Sequence, residues 1–203
     1  MIEKIIPGTN AKLRILKIIY EDKYINLSNL IKKAKTSPNL VLSYVNKLVD
    51  FNVVSEQRSG GEIKVHIRNL MPDFKSNESK IIYSLIELDK KEIFFNRYKN
   101  LKAIFGQLYE LFDENVKFAV VYGSYARFSA EKESDLDLLI AGKLSDEKRK
   151  RLKEAFITLD IEPSIKIETL KQFKNNLNKP LYKNIIKEHV IVYGEYNFVS
   201  ILG

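Results

Sequence analysis

The stretch at residues 116–140, VKFAVVYGSYARFSAEKESDLDLLI, decides the fold. Residues 116–122 are a short, almost wholly apolar run of β-branched and aromatic side chains, the pattern of a buried strand. Gly123 and Ser124 follow at once, and glycine lets the backbone bend sharply or come close to a ligand. After a turn and a charged loop, Asp135 and Asp137 open a second strand, although aspartate is disfavoured in strands. Strand side chains alternate with period two, so both carboxylates share one face while Leu136 and Leu138 take the other. Like charges held side by side are costly unless a cation or hydrogen bonds compensate, which predicts a metal site.

GSYARFSAEKESDLDLLI resembles the Gly-Ser…Asp-x-Asp signature of the polymerase-β-like nucleotidyltransferase superfamily, its minimal stand-alone members above all. The resemblance implies a nucleotidyltransferase α/β domain over 113–203 with a small mixed sheet, a nucleoside triphosphate as substrate and Mg²⁺ (or Mn²⁺) as cofactor. It assigns nucleotide binding to Gly123 and Ser124, and metal holding and catalysis to Asp135 and Asp137. The third carboxylate of the family falls at Lys166; Glu168, two residues on and on the same face, is expected to serve instead, with Glu162 as the alternative. Lys166 would neutralise a triphosphate as a compact point charge, and Arg127 would clamp phosphate. Phe128 departs from the family pattern Gly-Ser-x-Ala-Arg-Gly, which has glycine there.

Composition agrees with an oxygen-ligated cation. The 203 residues contain no cysteine and only His66 and His189, so thiolate sites and multi-histidine zinc sites are excluded and hard cations favoured. The absence of cysteine suits a reducing cytosol. No apolar run approaches the roughly 18 residues that span a bilayer, and no signal-peptide pattern follows Met1; a soluble, cytoplasmic protein without membrane contact is expected. Net charge is +8, and residues 1–70 hold twelve Lys and Arg against six Asp and Glu. That asymmetry points to a polyanionic partner, against the alternative of lysine-rich solubility.

Residues 10–70 read as three helices and a β-hairpin. Thr9 and Asn10 cap the first helix, with Leu13, Leu16, Ile19 and Tyr20 on its apolar side. A second helix covers 27–35, and Ser37-Pro38 starts a third with a core stripe of Val41, Val45, Leu48 and Val49. Strands at 53–57 and 63–68 flank Arg58-Ser59-Gly60-Gly61-Glu62, with Ile63, Val65 and Ile67 facing in. The segment resembles a winged helix-turn-helix, which implies double-stranded DNA as partner. The third helix would then present Asn39, Ser43, Asn46 and Lys47 to the major groove, while Arg58, Lys64 and Arg68 on the wing would contact phosphates.

The fold expected is therefore α+β (mixed): a winged helix over 1–71, a helical linker over 72–112 and the nucleotidyltransferase domain over 113–203. In the linker, Met71–Ser79 reads as a connection, followed by helices at 79–89 and 91–112. Phe94, Tyr98, Leu101, Phe105, Leu108 and Phe112 recur at heptad spacing along the second helix. That seam would pair with its copy in a homodimer through 92–112, or pack within one chain. Further on, a basic helix from Ser145 to Thr158 reads as a solvated face, followed by a strand at 164–168, helices near 170–177 and 180–188, and a last strand at 190–193. The function expected is a DNA-binding nucleotidyltransferase acting on an unspecified acceptor. The alternatives are a transcriptional regulator whose inactive domain senses nucleotide, and an antitoxin paired with a toxin.

Overall fold

The computed structural model describes residues 8–59 and 67–203. The chain divides into two compact units, Met1–Ile86 with Leu202–Gly203, and Glu87–Ile201. The division falls inside the expected linker, at Ile86/Glu87.

The first unit contains α1 (Asn10–Asp22), β1 (Ile25–Asn26), α2 (Leu27–Ala34), α3 (Pro38–Asp50), β2 (Val54–Ser59) and β3 (Ile67–Pro72). Its helix starts follow the local chemistry. The side chains of Thr9, Asn26 and Ser37 accept from backbone amides of Lys12, Asn29 and Leu40, and Pro38 sits in the first turn of α3. The buried stripe of α1 is Ile15, Leu16, Ile19 and Tyr20, so Ile15 replaces the expected Leu13. In α3, Tyr44 joins Val41, Val45 and Leu48 where Val49 was expected. Both exchanges swap one edge of the apolar stripe for the other while its centre stays in place, a distinction that helical periodicity alone does not resolve.

The three strands form an antiparallel sheet of order β1-β3-β2. Two expectations are corrected here. The second hairpin strand runs on to Pro72, which pairs with Val54, so Met71 and Pro72 belong to the sheet and not to a linker. Ile67 is 51% exposed rather than inward, because β3 is aligned by Leu70, which pairs with both Ile25 of β1 and Glu56 of β2 and is fully buried. Lys64 and the strand start expected at 63–66 lie outside the described residues.

One helix, α4 (Asn77–Arg97), replaces the two expected over 79–89 and the start of 91–112. The break comes instead at Tyr98, whose φ of −114° and ψ of 71° are non-helical, before α5 (Lys99–Leu108) and a 3₁₀ turn at Tyr109–Leu111. The apolar seam is thus cut in two. Phe94, Leu101, Phe105, Leu108 and Phe112 are all buried in the core of the second unit, leaving Tyr98 partly covered against it.

That unit is built on β4 (Val116–Tyr122), β5 (Leu136–Gly142), β6 (Pro163–Glu168) and β7 (Val190–Tyr193), in the order β6-β5-β4-β7. β5 pairs antiparallel with β4 and parallel with β6; β4 pairs antiparallel with β7. One face of the sheet, carrying Val121, Leu136, Leu138 and Ile140, packs on α5 and on Leu152 and Phe156 of α7 (Asp146–Ile157). On the other face Phe118 meets Phe173 of α8 (Leu170–Asn176) edge-on at 5.0 Å and Phe198 of α10 (Glu195–Val199) at 5.1 Å. No helix among the described residues is long and apolar enough to cross a membrane.

Candidate functional site

The chain passes from β4 through a four-residue helix, α6 (Gly123–Ala126), and returns along the loop to Asp135, one residue ahead of β5. Gly123 has a φ of +70°, in the left-handed region where an L side chain is strained. A β-carbon there would also collide with Asp137 Oδ2, so glycine permits the carboxylate to lie against the backbone of the turn. Ser129 closes the loop: its amide donates to Ser124 O at 3.0 Å and its hydroxyl to the same oxygen at 3.4 Å.

Asp137 pairs with Tyr122 of β4 and with Ser164 of β6. Its carboxyl titrates above the usual aspartate range, first because it is partly buried and then because Asp135 is close; a hydrogen bond from Ser164 and the Arg127 charge offset part of this. Asp135 is exposed. The two carboxylates expected to work together are therefore close enough for one to feel the other, and both donors are hard oxygens.

Glu168 does not join them. It stands in register with Ala141, four positions along the strand from Asp137, about 13 Å away by strand geometry. It is engaged elsewhere: Tyr182 of α9 (Pro180–Lys187) donates to its Oε2 at 2.6 Å, while its Oε1 is buried without a hydrogen-bond partner. Lys166 belongs to the same group. Its ammonium lies 4.9 Å over the Tyr182 ring, and hydrogen bonding to Tyr182, with the Glu168 charge behind it, raises its pKa despite burial. Period two does put Ser164, Lys166 and Glu168 on the Asp137 face, as expected. The strand register makes Ser164, not a carboxylate, the neighbour of Asp137. No cluster of three Asp, Glu, His or Cys residues placed to hold a metal occurs among the described residues.

A cleft of about 200 Å³ opens beside the turn, lined by Tyr122, Gly123, Arg127 and Asp137 together with Asn184 and Glu188. Arg127 is half exposed and lies 3.7 Å from Glu188, a loose pair that an anion in the cleft would compete with. Sequence reasoning missed Tyr122, Ser164, Tyr182 and Glu188. Tyr122 and Ser164 carried a signal, since the first abuts Gly123 and the second alternates with Lys166. Tyr182 and Glu188 carried none, because only folding brings α9 to the sheet.

In the first unit, Asn39, Ser43, Asn46 and Lys47 lie exposed along α3 as expected. The two arginines are not free, however. Glu56 binds Arg58 Nε at 2.7 Å through one oxygen and Arg68 Nε at 2.9 Å through the other, and the two guanidiniums hold its carboxyl below the usual glutamate range. Arg68 Nη2 also donates to Asn46 Oδ1 at 2.9 Å, tying the strand to the exposed side of α3.

Residues 99–197 match the family model described as Polymerase beta, Nucleotidyltransferase, so the second unit carries a nucleotidyltransferase-family domain. Among solved structures, a chain described as "Crystal structure of the toxin-antitoxin with AMP-PNP" aligns at 13% identity, covering 49% of this chain and 81% of its own, with a TM-score of 0.37. No curated protein matches.

Proposed function

We propose that the second unit transfers a nucleoside monophosphate from a nucleoside triphosphate to an acceptor hydroxyl. The observation that carries this reading is the contact between Gly123 and Asp137: a turn with no side chain, apposed to a half-buried carboxylate whose charge burial and Asp135 both disfavour. A divalent cation held by Asp135 and Asp137 would offset that cost. Two carboxylates suffice for Mg²⁺, which commonly completes its shell with water and substrate phosphates. When bound, such a cation supplies Lewis acidity and charge compensation at the transferred phosphoryl group.

The chain's own residues then have separable tasks. Gly123 keeps the approach to the turn clear, so that phosphate oxygens can meet the backbone amides of residues 123 and 124 and the Ser124 hydroxyl. Arg127 exchanges its loose pairing with Glu188 for the triphosphate. The acceptor hydroxyl's oxygen attacks the α-phosphorus as its proton passes to water, the bond from that phosphorus to the bridging oxygen breaks, and pyrophosphate leaves with the electron pair. Lys166 stands opposite Leu139, with its ammonium over the Tyr182 ring, and offers a cation where the family has a carboxylate.

The element order of the first unit supports a winged helix: a short β1 between α1 and α2 pairs with the second strand of the hairpin that follows α3. Double-stranded DNA is its proposed partner, contacted through Asn39, Ser43 and Lys47 of α3, with Asn46, Arg58 and Arg68 available once they leave the Glu56 network. A second reading, a DNA-bound regulator that senses nucleotide without turnover, is favoured by one observation: no third carboxylate accompanies Asp135 and Asp137 among the described residues.

The test is transfer from α-labelled nucleoside triphosphates with Mg²⁺, comparing wild type with Asp135→Ala/Asp137→Ala. Label reaching protein or nucleic acid with wild type alone establishes the enzyme. Bound nucleotide without transfer selects the regulator, and equal transfer by the double variant overturns the site.

A further inference from the structure

Phe128 stands in the left-handed region with a φ of +59°. Among the described residues, the other non-glycine ones in that conformation are Lys23, Lys35, Asn52 and Asp160. Asn and Asp tolerate it through local hydrogen bonding, and lysine carries its charge out to water. Phenylalanine has neither route, and its packing on neighbouring rings still leaves the residue 41% exposed. A strained backbone carrying an exposed aromatic ring is an outlier that calls for a function.

Its surroundings suggest which one. The preceding residue, Arg127, lines the cleft with Gly123 and Asp137, and the following residue, Ser129, is bonded to Ser124 O. The Phe128 ring stacks nearly parallel on Tyr98, at 11° with centroids 6.2 Å apart, and meets Phe94 edge-on at 6.3 Å. These contacts fix the ring's orientation while leaving much of it open to solvent. Tyr98, on which the ring stacks, itself lines a cavity of about 470 Å³ with Tyr125, Arg97 and Lys132. An oriented, partly open aromatic ring thus stands one residue along the chain from Arg127, which lines the cleft proposed to hold the triphosphate.

We propose that Phe128 is a stacking platform for the nucleobase of the bound nucleoside triphosphate, a specificity-determining contact; this rests on the nucleotide-binding reading of the same site. Stacking on a π-face is tolerant of base identity, so Phe128 selects for the presence of a base rather than for one base.

The experiment compares two probes by calorimetry in the presence of Mg²⁺: α,β-methylene-ATP, which has a base, and inorganic tripolyphosphate, which has none. Phe128→Gly suits the left-handed backbone, and its fold is checked by circular dichroism and thermal melting. It is expected to weaken α,β-methylene-ATP by about 10-fold or more while leaving tripolyphosphate within about twofold. Phe128→Tyr, which keeps the ring, is expected to restore nucleotide affinity. If Phe128→Gly weakens both probes equally, or neither, or if Phe128→Tyr fails to restore binding, the platform is overturned while the nucleotide site stands. If wild type binds neither probe, the nucleotide reading falls and the platform with it.

Discussion

Asp137 lies so close to the α-carbon of Gly123 that a β-carbon on residue 123 would collide with its Oδ2. Gly123→Ala therefore meets two penalties. A φ of +70° strains any L side chain, by about 1 kcal/mol, and the Asp137 carboxylate must swing away. The expected result is a modestly lower melting temperature with nucleotidyl transfer reduced about 100-fold or more, since a displaced carboxylate would no longer hold the proposed cation. Melting and turnover measured on the same preparation separate the two; full activity in the alanine variant would show that the contact does not matter.

With the cation proposed for Asp135 and Asp137, proton and cation compete at Asp137. Its folded-state pKa is raised above the ordinary 3.8, so in the metal-free protein the charged form costs stability, and the cost is relieved as pH falls through the raised value. Mg²⁺ needs that charged form. Thermal stabilisation by Mg²⁺ is expected to fade on acidification at a pH above the one an unperturbed aspartate would set. Asp137→Asn should be at least as stable as wild type without metal near pH 7 and should show no Mg²⁺-dependent shift. A metal-dependent shift surviving in Asp137→Asn would remove Asp137 from the ligand set.

A buried pair, His189 and Glu87, is expected to set an acid limit. His189 Nε2 lies 3.3 Å from Glu87 Oε1 and Glu87 is fully buried. Burial lowers the histidine pKa below 6.5, outweighing the attraction of Glu87, while Lys90 pushes in the same direction as burial. The imidazole is thus neutral at pH 7, and the stability it contributes is complete above 6.5 and lost as pH falls from there through the lowered pKa. Loss is expected at up to about 1.4 kcal/mol per pH unit. Denaturation from pH 7.5 to 5 should show this slope in wild type and a flatter one in His189→Gln; identical slopes would mean that another group carries it.

Glu56 holds the two arginines proposed to face DNA. Glu56→Gln keeps the side-chain shape and removes the charge that both guanidiniums satisfy. The expected outcome is tighter binding to duplex DNA and a steeper salt dependence, by about one unit of log–log slope for each arginine released to a phosphate. Anisotropy titrations over a range of salt measure both. An unchanged slope would place Arg58 and Arg68 in a purely structural role.

What was legible in the sequence was local. The apolar run ending at Tyr122, the Gly-Ser turn and the alternation through Asp135 and Asp137 predicted β4, the turn and the faces of β5, and the structure has Leu136 and Leu138 in the core with Asp137 at the cleft. Thr9, Ser37 and Ser145 each bind the amide expected of a helix cap. Such features need only a few consecutive residues, since a cap or a two-residue period is complete within one turn of chain.

The rest depended on partners distant in sequence. Period two placed Lys166 and Glu168 on the Asp137 face, but the β5–β6 register set Ser164 beside Asp137 and left Glu168 to Tyr182. Heptad spacing from Phe94 to Phe112 was genuine, yet a break at Tyr98 turned the seam into the core of one unit. The charge of Arg68 was plain, but Glu56 and Asn46, its acceptors, are neighbours only once β2, β3 and α3 have packed. By itself the sequence marked the residues proposed for a nucleotidyltransferase site. Only the tertiary structure decided which of them meet, because strand register and helix docking are fixed by burial over the whole unit, not by any short stretch of chain.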